Sequence, residues 1–213
     1  MELAVGKSLF TPRSPVARCL SMSQVTNTIF IGCDTETTSS EMPPFGQLIQ
    51  IGVTMKNGDT FVSDVNPGWF KFSEKARKVN GFTDERVRTA PRSADVDARL
   101  YEWLVARGAT ADSIVPVGLN VAGFDMLFLR YYLPKTFTLF SYRSVDLNAI
   151  MFTMDVITGQ GFKVVKDSAK RFAANPNPHD AGSDAQAALK MWAYLRRNIA
   201  GDTIFEGRRD DRV

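Results

Sequence analysis

Thr28-Ile29-Phe30-Ile31-Gly32-Cys33-Asp34 is an apolar run that ends on an acid, and it reads as a buried strand. Gln47 to Met55 (QLIQIGVTM) is a second strand. Lys56-Asn57-Gly58-Asp59 carries the Asn-Gly signal of a tight hairpin turn, and Thr60 to Val65 returns as a third strand. The chain therefore opens with an antiparallel meander. Helical periods broken by single strands follow. Ser73–Val79 and Thr83–Val87 read as short helices parted by Asn80-Gly81. Ser93 is placed to cap a longer helix to about Arg107, with Val96, Leu100, Trp103 and Leu104 on one face. Ser113–Leu119 is a fourth strand. Phe124–Leu133 is a helix, apolar nearly all round and hence central, stopped by Pro134. Phe140–Val145 is a short fifth strand, with Asp146 capping the next helix, and Val164–Ala173 is a further helix. Asn175-Pro176-Asn177-Pro178 breaks the chain before a last helix over Asp180–Asn198. The order β-β-β-α-β-α-β-α predicts an α/β fold: a five-stranded mixed sheet, antiparallel meander then parallel strands, flanked by helices.

The chain has 213 residues, room for one well-buried domain with loose ends. Residues 1–27 have no clear period and read as a flexible leader, with organelle targeting or a start at Met22 as alternatives. Residues 28–200 form the domain, and 201–213 a polar tail whose Arg208-Arg209-Asp210-Asp211-Arg212 run reads as a solvated end or a docking peptide. A net charge of +3 permits a nucleic-acid partner without demanding one. Cys19 and Cys33 have no Cys or His at zinc spacing, so they read as free thiols of the cytoplasm or another reducing compartment. No apolar stretch approaches the length that spans a bilayer.

Four acids sit where acids are costly. Asp34 and Glu36 are two apart along a strand, so both side chains point the same way. Alone, that pair reads better as two solvated acids at a strand end. Asp125 opens an apolar helix, where an acid also suits the positive helix end. Asp184 lies on the last helix in one stripe with Ala188, Trp192 and Leu195. Together they can meet at one site. Packed without cations they would repel one another and hold protons. Oxygen ligands favour Mg²⁺ or Mn²⁺ over zinc, and two such ions can clamp the attacking and leaving oxygens of a phosphodiester. His179, the only histidine, stands five residues before Asp184 and suits a general base.

These residues carry a specific resemblance. Cys33-Asp34-Thr35-Glu36-Thr37-Thr38, then Gly118-Leu119-Asn120-Val121-Ala122-Gly123-Phe124-Asp125-Met126-Leu127-Phe128-Leu129, then His179-Asp180-Ala181-Gly182-Ser183-Asp184-Ala185 resemble the three motifs of the DEDDh 3′–5′ exonucleases. These belong to the DnaQ-like superfamily of ribonuclease H-like fold, which includes proofreading exonucleases. Leu48–Val53, and Asn80–Glu85 with Ala90-Pro91, resemble connecting segments. The likeness runs from about Thr28 to Asn198 in the family's order. Two departures stand out. Leu119 replaces a residue that is often polar, and Ser39-Ser40-Glu41 replaces a Gly-Leu, leaving Met42 and Phe45 as the residues to wedge a terminal base. Asp180 stands where a sister subgroup has tyrosine, so the histidine subgroup fits.

The resemblance implies roles. Asp34, Glu36 and Asp184 would hold one Mg²⁺. Asp34 would bridge to a second, on which Asp125 acts through water, and Mn²⁺ would substitute. His179 would take the proton of the attacking water, and the product would be a 5′-mononucleotide. Thr35, Thr37, Asn120 and Phe124 are assigned to substrate, with loop bracing the stronger alternative for Asn120. Arg130, Lys166, Lys170 and Arg171 are placed along the substrate backbone. The loop Asn175–Pro178 would be free to carry His179 away from the acids when no substrate is bound. The expected partner is a nucleic-acid 3′ end, DNA before RNA, with a DNA polymerase or replisome component as a further partner. The alternatives are an exoribonuclease of the same fold and a non-catalytic nucleic-acid-binding or polymerase-docking module.

Overall fold

The structure, a computed structural model, describes residues 28–199. The leader, Cys19, Met22 and the tail with its basic run lie outside the described residues. The meander is β1 (Ile29–Thr37), β2 (Leu48–Met55) and β3 (Thr60–Asp64). Three helices follow, α1 (Glu74–Asn80), α2 (Asp84–Thr89) and α3 (Ser93–Val105), then β4 (Ile114–Gly118), α4 (Asp125–Tyr132), α5 (Pro134–Phe137) and β5 (Val145–Asp146). The chain closes with α6 (Leu147–Thr158), α7 (Phe162–Ala173) and α8 (Ala181–Ile199). The sheet order is β3-β2-β1-β4-β5, antiparallel from β3 to β1 and parallel from β1 to β5. This is the expected five-stranded mixed sheet with helices on its faces.

The register fixes what lies at the working end. Glu36 pairs with Gln50, and Gln50 with Asp64, so the ends of β1 and β3 and the start of β2 lie side by side. Alternation sends Ile31 and Cys33 into a core with Leu100 and Leu104 of α3 and Phe128 and Leu129 of α4. The opposite face, carrying Phe30 and Gly32, packs against α6, α7 and α8, and Phe30 meets Trp192 with ring centroids 4.8 Å apart.

Several boundaries differ from the sequence reading. The first strand continues past Asp34 to Thr37, so both acids lie in its last four residues. Ser93 is the first helical residue of α3 and caps nothing; the cap position is Arg92, which makes no side-chain cap bond. Ser73 and Thr83, read as helical, are instead the N-caps of α1 and α2. Helix α4 is not buried all round, since Leu127 and Tyr131 face solvent. Pro134 does stop α4, but it also opens the unforeseen α5, at a position where its missing N–H costs nothing. The fifth strand shrinks to two residues, with Phe140 making only an isolated bridge to Ile114. Asp146 caps α6 as expected, accepting the backbone N–H groups of Asn148 and Ala149.

Helix α8 lies almost on the backbone of the sheet. A Cβ at Gly32 would fall 1.9 Å from the carbonyl oxygen of Ala185, and one at Gly52 would fall 2.1 Å from the carbonyl carbon of Ala181. Only glycine permits such an approach. Gly32→Ala forces the helix off the sheet and is expected to cost about 1–3 kcal/mol by overpacking. Urea denaturation measures the loss, and an unchanged midpoint would contradict this packing.

Candidate active site

Three elements deliver the acids. Asp34 and Glu36 project from β1 on the α8 face. Asp184 comes from the first turn of α8, brought close by the glycine contacts. Asp125 arrives from the other side of the sheet, as the first residue of α4. It is 4% exposed, and Thr35, the residue of β1 between the two acids, donates its hydroxyl to Asp125 Oδ1 at 2.7 Å. One strand thus supplies two acids on one face and orients a third from the other.

These side chains line a cleft of about 550 Å³ with Thr35, Thr37, Phe124 and His179. Glu36, His179 and Asp184 each bring a ligand atom within 4.8 Å of the others. Of the remaining residues assigned to substrate, Thr35 and Thr37 line the cleft with committed hydroxyls, that of Thr37 donating to the Ser39 carbonyl at 2.7 Å. Asn120 is not among the lining residues. It sits in the left-handed region (φ 59°), its N–H donating to Asp146 and its carbonyl accepting the N–H of Phe124, which is a brace. Of the four basic residues assigned to a substrate backbone, Lys170 lines the cleft; Arg130, Lys166 and Arg171 do not. Met42 and Phe45 are exposed but lie outside the cleft lining.

The histidine loop is docked. His179 takes φ 66°, and its backbone N–H donates to Asp184 Oδ2 at 2.8 Å. Asn175 donates from Nδ2 to Asp184 Oδ1 at 2.6 Å. Both Asp184 oxygens therefore hold the Asn175–His179 loop, which puts His179 beside the acids. Asn175 was not foreseen, because its sequence signal is only that of a turn residue beside proline.

A second unforeseen residue is Gln50, 2% exposed on β2. Its Oε1 accepts the N–H of Ala181 at 2.8 Å, and its Nε2 donates to Asp64 Oδ1 at 2.9 Å. Asp64 in turn accepts Arg86 Nε at 2.6 Å and Nη2 at 2.8 Å. Asp180 closes the same helix end by accepting the N–H of Ser183 at 3.0 Å. A buried amide with both ends used fixes where α8 begins, and so where Asp184 stands. A polar residue inside an apolar strand run was the available signal. The far wall of the cleft is apolar, made by Leu119, Phe124, Ala187, Ala188 and Met191.

Electrostatics show what this convergence costs. Burial, then Asp184, Asp125 and Asp180, push the Glu36 carboxyl up to about 7. Burial pushes Asp125 up to about 7 against the lowering hydrogen bond from Thr35. Asp34 is raised well above the carboxylate range by burial and by the other acids, and Asp184 is raised chiefly by burial. Among the described residues, no basic side chain forms an ion pair with any of the four. A set of oxygen donors that raise one another's proton affinity and have no cationic partner fits divalent metal ions. Below them Cys33 is buried, its thiol pushed up by burial and then by Asp125 and Asp34.

The family described as Exonuclease (RNase_T) matches residues 31–192. The chain belongs to this exonuclease family. A comparison with curated proteins returns no match. Among solved structures the fold is similar to E. coli exonuclease I in complex with a dA16 oligonucleotide, with TM-score 0.63, 18% identity, and 80% of this chain and 41% of that chain covered. The zinc-bound exonuclease I–ssDNA complex gives TM-score 0.61, 17% identity and coverage of 84% and 42%. Cell-death related nuclease 4 (CRN-4) gives 0.59, 14%, and 81% and 64%. The chain thus spans about two fifths of the length of exonuclease I.

The raised carboxyls set a sign for stability. Folded Glu36 and Asp125 keep protons to about pH 7, whereas the unfolded chain releases them at about pH 4. Between those limits the unfolded chain binds fewer protons, so stability falls as pH rises. Urea midpoints in chelator are expected to drop from pH 5 to pH 8, and Glu36→Gln to flatten the slope. Midpoints that rise over this window in the parent would contradict the raised carboxyls.

Proposed function

We propose that the chain is a metal-dependent 3′–5′ exonuclease that removes 5′-mononucleotides from single-stranded or frayed DNA 3′ ends. The observation that carries this is the convergence of Asp34, Glu36, Asp125, Asp184 and His179 in one cleft. Mg²⁺ suits the donor set: Asp34, Glu36 and Asp184 would hold one ion, and Asp34, with Asp125 acting through water, would serve a second. When bound, such ions supply electrophilic stabilisation of the phosphate and its attacking and leaving oxygens.

The chain's own residues do the rest. His179 accepts a proton from the attacking water, whose oxygen bonds to phosphorus as the P–O3′ bond breaks. The leaving 3′ oxygen takes a proton from solvent and ends the shortened strand as a hydroxyl, the released nucleotide keeps its 5′ phosphate, and His179 returns its proton to solvent. The two hydrogen bonds from the His179 loop to Asp184 support this role, since they keep the loop beside the acids. The apolar wall of Leu119, Phe124 and Met191 suits a base face, and Lys170 at the rim suits a phosphate. Exonuclease I binds single-stranded oligonucleotides in solved complexes on the same fold, which supports a single-stranded substrate here.

Digestion of a 5′-labelled oligonucleotide is the test. Stepwise shortening from the 3′ end is expected with Mg²⁺ or Mn²⁺ and none with chelator. His179→Ala is expected to lose about 10²–10⁴-fold in rate at neutral pH, and Asp34→Ala to abolish the ladder. A ladder that survives Asp34→Ala would overturn the proposal. Matched ribo-oligonucleotides separate the exoribonuclease alternative, and metal-independent binding without hydrolysis would mark a non-catalytic module.

A further inference from the structure

A second concavity, also of about 550 Å³, lies at the β3 edge of the sheet and takes no part in the cleft. Trp69, 69% exposed, Phe70, Arg88 and Arg92 line it with Asn66 and Gly68. A large aromatic left this open in a hollow with two guanidinium groups is a poor use of surface unless something covers it.

The hollow is built. Asn66 is 8% exposed, and its side chain ties the two walls together: Oδ1 accepts the N–H of Gly68 at 2.9 Å, and Nδ2 donates to the Arg88 carbonyl at 2.9 Å. Its backbone completes the joint, donating to the Pro91 carbonyl at 2.7 Å and accepting the N–H of Ser93 at 3.2 Å. Gly68 takes φ 92°, which favours glycine, and a Cβ there would meet an Arg92 guanidinium nitrogen at 3.5 Å. Arg88 leans over Phe70, 5.8 Å from the ring centroid, and pairs with exposed Asp84. Arg92 has no ion-pair partner among the described residues.

Position gives the hollow a meaning. Glu36, Gln50 and Asp64 are in register, so the end of β3 lies two strands, about 10 Å, from the acid on β1. Trp69 follows five residues later. Its loop then runs back along the working end, with Lys71 donating to Gln47 and Ser73 to the Thr38 carbonyl.

We propose that Trp69, Arg88 and Arg92 form a second contact site for single-stranded nucleic acid outside the cleft, where Trp69 stacks on a base and the arginines hold backbone phosphate upstream of the reacting 3′ end. A stacking ring beside cations is the chemistry that grips single strands without reading sequence. The site takes long strands and not short ones. It rests on the nuclease reading for its substrate but not for its measurement.

The experiment is anisotropy of a labelled thymidine 15-mer on the full chain in chelator, paired with hydrolysis of a 15-mer and a 4-mer in Mg²⁺. Trp69→Ala is expected to weaken 15-mer binding about fivefold or more and to raise its KM. Its kcat and the 4-mer kcat/KM should stay within twofold of the parent. Arg92→Gln is expected to reduce the slope of log affinity against log salt by about 0.7. Fifteen-mer binding that is absent, or unchanged in both variants, overturns the site. Mg²⁺-dependent hydrolysis with 15-mer affinity and 15-mer KM unchanged in Trp69→Ala leaves the nuclease reading intact while the site falls. Trp69-dependent binding without hydrolysis does the reverse.

Discussion

The contact on which the site depends is the near-backbone approach of α8 to β1 and β2. It is made by absent side chains: Gly32 and Gly52 on the sheet, and Ala181, Gly182 and Ala185 on the helix. Large residues on either side would hold the axis at ordinary helix–sheet distance and lift Asp184 from Asp34 and Glu36. Gln50 then fixes the helix along its length by accepting the first N–H of α8, with Asp64 and Arg86 behind it. Close packing sets the depth of Asp184, and a buried amide sets its register.

Convergence of this kind works against stability. Each acid is desolvated and faces others of the same sign, so protons are held far above their usual pH. The fold opposes that with ordinary means: two apolar cores, one on each face of the sheet, and directed hydrogen bonds from Thr35, Asn175 and the His179 backbone. None of those donors is a cation. The centre stays short of positive charge where a phosphodiester and its metal ions would supply and use it.

Much of this was legible in the chain. Period-two and helical patterning placed the meander, the parallel strands and the last helix. The two-residue spacing of Asp34 and Glu36 gave their common face, and the breaker loop gave His179 its place before Asp184. What failed depends on tertiary context. Ser93 looks like a cap, but the turn into α3 puts Arg92 there. The apolar sequence of α4 implied burial all round, yet Leu127 and Tyr131 are outside it because α4 packs on one face only. That the Thr35 hydroxyl serves Asp125 shows only once α4 arrives beside β1. Gln50 and Asn175 act through partners more than a hundred residues away or across a turn, which periodicity does not report.

The central claim is that these acids are a divalent-cation centre kept partly protonated by its own geometry. Calorimetric titration with Mn²⁺ at pH 7, in buffers of different ionisation enthalpy, tests it most directly. Burial and the neighbouring acids push Glu36 and Asp125 up to about 7, so binding there is expected to release protons from the pair. The release should fade by pH 9. Absence of binding, or binding with no proton released at pH 7, would contradict the account.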